Sequence, residues 1–139
     1  MTDAVSELIA SGNSWVYAVS TQEQDLFHAV VTKVSDEKLM ETLKEARAVL
    51  YAAQLDYGRA LARVRLTCPP KVVRAAEEFR SAVQGVEQES RDKGEIALKQ
   101  KSVEGIEATS PDGVVTPLSD LVEATRKATG YRKRPKDIR

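Results

Sequence analysis

The sequence is short of the residues that most often carry chemistry. One cysteine, Cys68, and one histidine, His28, stand among 139 residues, which excludes an internal disulfide and a cysteine-histidine zinc cluster. A metal site would need carboxylates alone. Carboxylate bundles pair glutamate with a histidine three positions on, a spacing absent here. Glu77 with Glu78, and Glu87 with Glu89, sit at separations that diverge on a helix. The glycines at 12, 58, 85, 94, 105, 113 and 130 are scattered and form no phosphate-cradling loop. No stretch approaches the roughly 20 apolar residues that span a bilayer, and the first residues lack a basic region followed by an apolar block.

Charge of one sign is missing too. Lysine and arginine number 21 against 21 aspartates and glutamates, so no overall field draws the chain to nucleic acid, a lipid surface or an acidic substrate. A lone cysteine suits a reducing compartment. The expectation is a cytoplasmic protein with no membrane partner, no cofactor and no metal, and not an enzyme. His28 has no serine, cysteine or carboxylate arrangement tied to it and reads as an ordinary helix residue. Cys68 reads as a small residue fitted to a turn, with a thiol activated by the following helix start as the other reading.

What the chain does have is a heptad pattern. Leu39, Leu43, Ala46, Leu50, Ala53, Tyr57, Ala60 and Val64 recur at alternating four-residue and three-residue steps, and Val72, Ala76, Phe79, Val83 and Val86 resume them beyond Pro69 and Pro70. The two lists are mirror images. Folded antiparallel, they pair Val64 with Val72, Ala60 with Ala76, Tyr57 with Phe79, Ala53 with Val83 and Leu50 with Val86. The expected fold is therefore all-α: a long antiparallel helical hairpin over about 36–66 and 70–108, with shorter N-terminal and C-terminal helices packed on it. Its seam is Leu50, Ala53, Tyr57, Val64, Val72, Phe79, Val83 and Val86. The prolines place the break, because a residue before proline leaves the helical region and a proline in a first turn loses no needed bond. The same register brings Glu37, Glu41 and Glu45 toward Lys93, Lys99 and Lys101.

Flanking elements are expected to be short. Thr2 to Ala10 reads as one helix, stopped by Ser11, Gly12, Asn13 and Ser14. Trp15, Tyr17 and Val19 alternate like a strand and read as a segment laid across the hairpin. Trp15 would then cap the core, with a partner contact through Trp15 and Tyr17 as the alternative. Thr21 and Gln24 look like a capping box for a helix through Val34, either continuous with the first arm or restarted at Ser35 and Asp36. Ser110 to Gly113 marks a turn, and Thr116 and Pro117 open a last helix carrying Leu118, Leu121, Val122 and Thr125 inward. Residues 1–130 make one helical domain and 131–139 a mobile basic tail. A two-helix hairpin leaves Val49, Leu55, Leu61 and Val73 in need of cover. Either the flanking helices supply it or two hairpins pair into a four-helix bundle.

The run Val64, Arg65, Leu66, Pro69, Pro70, Val72, Val73, Ala75, Ala76 resembles a loose class of small, uncharacterised bacterial helical-hairpin proteins. In these a long helix, a turn with proline or glycine and a valine- and alanine-rich helix follow one another. Leu121, Val122, Ala124, Arg126 and Gly130 are similar to the short terminal helix that closes such chains. The resemblance covers about half the chain and implies a hairpin fold without an assigned activity. Members often carry a membrane helix near the N-terminus, which this sequence lacks.

Two basic clusters are the remaining signals. Arg59, Arg63, Arg65, Lys71 and Arg74 surround the hairpin tip, and Arg126, Lys127, Arg132, Lys133, Arg134, Lys136 and Arg139 crowd the C-terminal end. Phosphates suit both, and Tyr131 suits stacking on a base. The expected function is a non-catalytic helical interaction protein engaging a protein partner, with homodimerisation as one form of it. The alternative is a nucleic-acid-binding accessory protein using the tip and tail.

Overall fold

A computed structural model describes residues 1–130 of the chain. Helix α1 covers Thr2–Thr32, α2 Asp36–Thr67 and α3 Pro70–Gln100; a single 3-10 turn, Pro111–Val114, leads into α4, Val115–Ala128. Among the described residues there is no strand. The tail from Tyr131 to Arg139, with Arg132, Lys133, Arg134, Lys136 and Arg139, lies outside them.

The joints are set by local chemistry. α1 ends at Lys33, a left-handed residue at φ 55°, and the amide of Val34 donates to Ala29, a closing pattern that satisfies late carbonyls of the helix. Ser35 then caps α2 by accepting from the Lys38 amide at 3.2 Å. Cys68 and Pro69 are extended, and Pro70 occupies the first position of α3.

The N-terminal region differs from its expected shape. It is one helix of 31 residues, as long as α3, running through Ser11–Ser14 and through Trp15–Val19. Gly12 explains the misreading. A Cβ built there would overlap Phe79 Cε2, so the glycine admits a ring from α3 rather than stopping a helix. The core is accordingly shared by three long helices, not two arms under short covers. Leu8, Trp15 and Val19 from α1 join Tyr57, Leu61 and Val64 from α2 and Val72, Phe79 and Val83 from α3. α1 lies against both other helices. The ring of Tyr57 sits 5.4 Å from that of Trp15 and 6.1 Å from that of Phe79, and its hydroxyl donates to the Ala76 carbonyl at 2.8 Å.

Along the seam, Leu50, Tyr57, Val64, Val72, Phe79, Val83 and Val86 are buried, and Ala53 is half-buried. Burial fades toward the start of α2: no residue from Asp36 to Val49 is buried. The charge pairing expected there is replaced by local bridges, Glu41 with Lys38 and Lys93 with Glu89. α3 stops at Gln100 rather than near Ala108, because Lys101 turns left-handed (φ 57°) and Gly105 follows at φ 76°. The following segment is held to α1, with the Thr109 amide donating to Glu23 at 2.8 Å and the Thr109 hydroxyl donating to the same carboxylate. α4 begins at Val115, one residue before the expected cap, and seats Leu121 and Thr125 in the interior.

Candidate functional site

Toward the start of α2 a cleft of about 440 Å³ opens between α2 and α3, with Glu23 and Leu26 of α1 among its lining residues. Leu43 and Leu50 line it from α2 and Leu98 from α3, with Arg47, Gln54 and Arg91 among its polar residues. At its inner end lies Glu87, a buried carboxylate. One of its oxygens accepts from Trp15 Nε1 and from Gln54 Nε2, both at 2.8 Å, and the other from Arg91 at 2.7 Å. The desolvation cost of burying a charge is offset only when the charge is paired and hydrogen-bonded, and Glu87 is both. The network therefore fixes α1, α2 and α3 against one another. Trp15 reaches it from the core, with Tyr57 beside it. Sequence reading missed Glu87, although a signal was present: Val83, Glu87, Ser90 and Gly94 continue the inward face of α3 at helical spacing, and all are buried.

The tip cations are largely engaged. Arg63 donates to both oxygens of Glu7 at 2.7 Å, Arg65 to Glu77 at 2.9 Å, and Arg59 approaches Asp56 at 3.4 Å. The first two carboxylates come from other helices, which a scan of residues 59 to 74 alone does not reveal. Lys71 and Arg74 line a groove with Pro69 and Pro70, shared with Asp120, Glu123 and Lys127 of α4. His28 is exposed near the end of α1, while Cys68 is half-buried at the far end of α2. The two do not form a site. Among the described residues no group of three or more histidine, cysteine or carboxylate side chains is placed to hold a metal ion. No helix among them is long and apolar enough to cross a membrane.

The largest unsatisfied feature is on the outside. Counting steps of four, four and three from Met40 gives Lys44, Ala48, Tyr51, Leu55, Arg59, Ala62 and Leu66, all exposed. At about 100° per residue these positions share one side of α2, centred nearly opposite the seam, with Tyr51 at the stripe's edge also lining the cleft. Leu66 is 85% exposed, Met40 66% and Tyr51 63%. At 1.5 Å per residue the stripe runs for about 39 Å. Leu55 within the stripe and Val49, exposed on another side of α2, are two of the four residues expected to need cover; Leu61 is buried and Val73 half-buried.

No protein-family model, no curated protein and no solved structure matches this chain.

Proposed function

We propose that the protein is a non-catalytic helical interaction module whose working surface is the outer stripe of α2. In this reading α2 and α3 form the antiparallel hairpin anticipated by the mirrored heptads, and α1 packs along it with most of its apolar residues on the inner face, Tyr17 and Val31 staying exposed. The observation that carries the reading is the second apolar face. α2 buries Leu50, Tyr57, Ala60, Leu61 and Val64 and still presents Met40, Tyr51, Leu55 and Leu66 to solvent. Single exposed apolar residues are ordinary; a stripe of them at helical spacing marks an interaction surface.

Nucleic acid is the weaker reading. Phosphate binding depends on unneutralised cations, and Arg59, Arg63 and Arg65 each face a carboxylate, which leaves Lys71 and Arg74 of that cluster.

Photo-crosslinking tests the leading reading. A crosslinking amino acid at Leu55 or Leu66, in cells making the full chain, is expected to trap protein, while the same group at Glu78 on α3 is not. Equal trapping at all three positions, or none at the stripe, overturns it.

A further inference from the structure

The stripe is complementary to itself. Laid antiparallel against a second copy about a two-fold axis level with Ala53, it sets Met40 against Leu66, Lys44 against Ala62, and Tyr51 against Leu55; Ala48 meets Arg59 one residue out of step. Every position of the stripe finds another position of the same stripe, as an isologous two-fold contact requires.

The flank supplies a second, independent match. In antiparallel helix pairs the charged positions beside the seam on one helix meet the same flank of the other helix. Glu41 and Glu45 lie on one side of the stripe in the first half of α2, and Arg59 and Arg63 lie on that side in the second half. The register fixed by the apolar residues alone brings Glu45 to within two positions, about 3 Å along the axis, of Arg59 of the second copy and Glu41 equally close to Arg63, each twice by symmetry. A parallel pairing would instead set this flank against the opposite flank of the second copy, so that Glu45 and Arg59 would not meet. Arg63 already holds Glu7, so the discriminating pair is Glu45 with Arg59. Glu45 has no ion-pair partner among the described residues, and Arg59 has only the exposed 3.4 Å approach to Asp56.

We infer that the partner of the outer stripe is a second copy of this chain, bound antiparallel through α2, with Glu45 of each copy facing Arg59 of the other. This rests on the stripe's being an interaction surface and adds its occupant and orientation. Lys44 and Arg59 interrupt the apolar run, which favours a reversible dimer over a permanent one.

Sedimentation equilibrium on the full chain tests the inference. The unmodified protein is expected to dimerise. Glu45→Arg alone and Arg59→Glu alone each create two like-charge contacts and are expected to weaken the dimer by about tenfold or more. Both side chains are exposed, so circular dichroism should show each variant fully helical. An equimolar mixture of the two variants restores both opposite-charge contacts and is expected to dimerise as the unmodified chain does. A monomeric unmodified protein, single variants that dimerise normally, or a mixture no better than its components would each overturn the inference. The stripe reading fails separately: a monomer that still crosslinks a different protein through Leu55 or Leu66 keeps it, and a chain that crosslinks nothing there does not.

Discussion

Trp15 and Glu87, 72 positions apart in the chain, are joined by a 2.8 Å hydrogen bond from the indole Nε1 to the carboxylate Oε1. The same oxygen takes a second bond from Gln54, so one carboxylate ties α1, α2 and α3 together.

Removing that carboxylate leaves a buried indole N–H and an amide without their acceptor. Each unsatisfied group costs about 1–3 kcal/mol, so Glu87→Ala is expected to destabilise the fold by about 2–5 kcal/mol in urea titrations. Glu87→Gln keeps an acceptor and is expected to lose less than half as much. Equal losses in the two variants would show that the negative charge, rather than the shape or a remaining acceptor oxygen, holds the network together.

The glycines within α1, α2 and α3 divide into two classes that substitution should separate. Gly12→Ala drives a methyl into the Phe79 ring, and overpacking of this kind costs about 1–3 kcal/mol. Gly58 and Gly85 have no atom within 4 Å of a built Cβ, so alanine there gains helix propensity of about 1 kcal/mol. Thermal melts of the three variants should move in opposite directions; a stabilised Gly12→Ala would mean that α1 does not pack on Phe79 as described.

Burial raises the Tyr57 phenol well above the usual tyrosine value, offset slightly by the nearby Arg80 guanidinium. An acid whose folded pKa is raised keeps its proton while the unfolded chain releases it. Its contribution is therefore complete below the unfolded value of about 10 and is lost as pH rises above it. Stability is expected to fall in this alkaline range for the native chain and less steeply for Tyr57→Phe. At neutral pH the phenylalanine variant should lose about 1 kcal/mol with the hydrogen bond to Ala76. Parallel alkaline profiles for the two proteins would exclude the phenol as the titrating group.

The bridge between Arg63 and Glu7 is short, yet both side chains are about half exposed. Exposed pairs contribute about 0–1 kcal/mol, so Glu7→Gln should barely shift the melt. The substitution frees a guanidinium at the tip, and it is not expected to confer salt-dependent binding to single-stranded DNA in a fluorescence anisotropy titration. Tight binding by this variant alone would show that intramolecular pairing is what masks a phosphate site.

Part of the inward faces of α2 and α3 was legible from period, although Leu39, Leu43 and Ala46 at the same spacing are only half-buried. Leu50, Tyr57, Val64, Val72 and Phe79 recur at heptad spacing and are buried, and two prolines mark the break. The long first helix was not legible. Ser11, Gly12, Asn13 and Ser14 have the composition of a turn, and only the presence of Phe79 against Gly12 reveals that the small residues serve packing between helices. Lys101, left-handed without being glycine, gave no sign that α3 would end there. Glu87 was legible as a position on the inward face of α3 but not as a network centre. A glutamate on a helix reads as solvated until its three partners, from positions 15, 54 and 91, are seen to converge.

The bond between Glu23 and Thr109 has a consequence for the order of assembly. α1, α2 and α3 are joined by turns of two or three residues, so the turns that bring consecutive helices together form from local encounters. Glu23 and Thr109 are 86 positions apart, and their meeting waits on the helices that position them. The C-terminal segment is thus a latecomer that closes over a framework already built. By the same logic it is the first part to let go, and backbone amides of α4 should exchange with solvent ahead of those at the centre of α3.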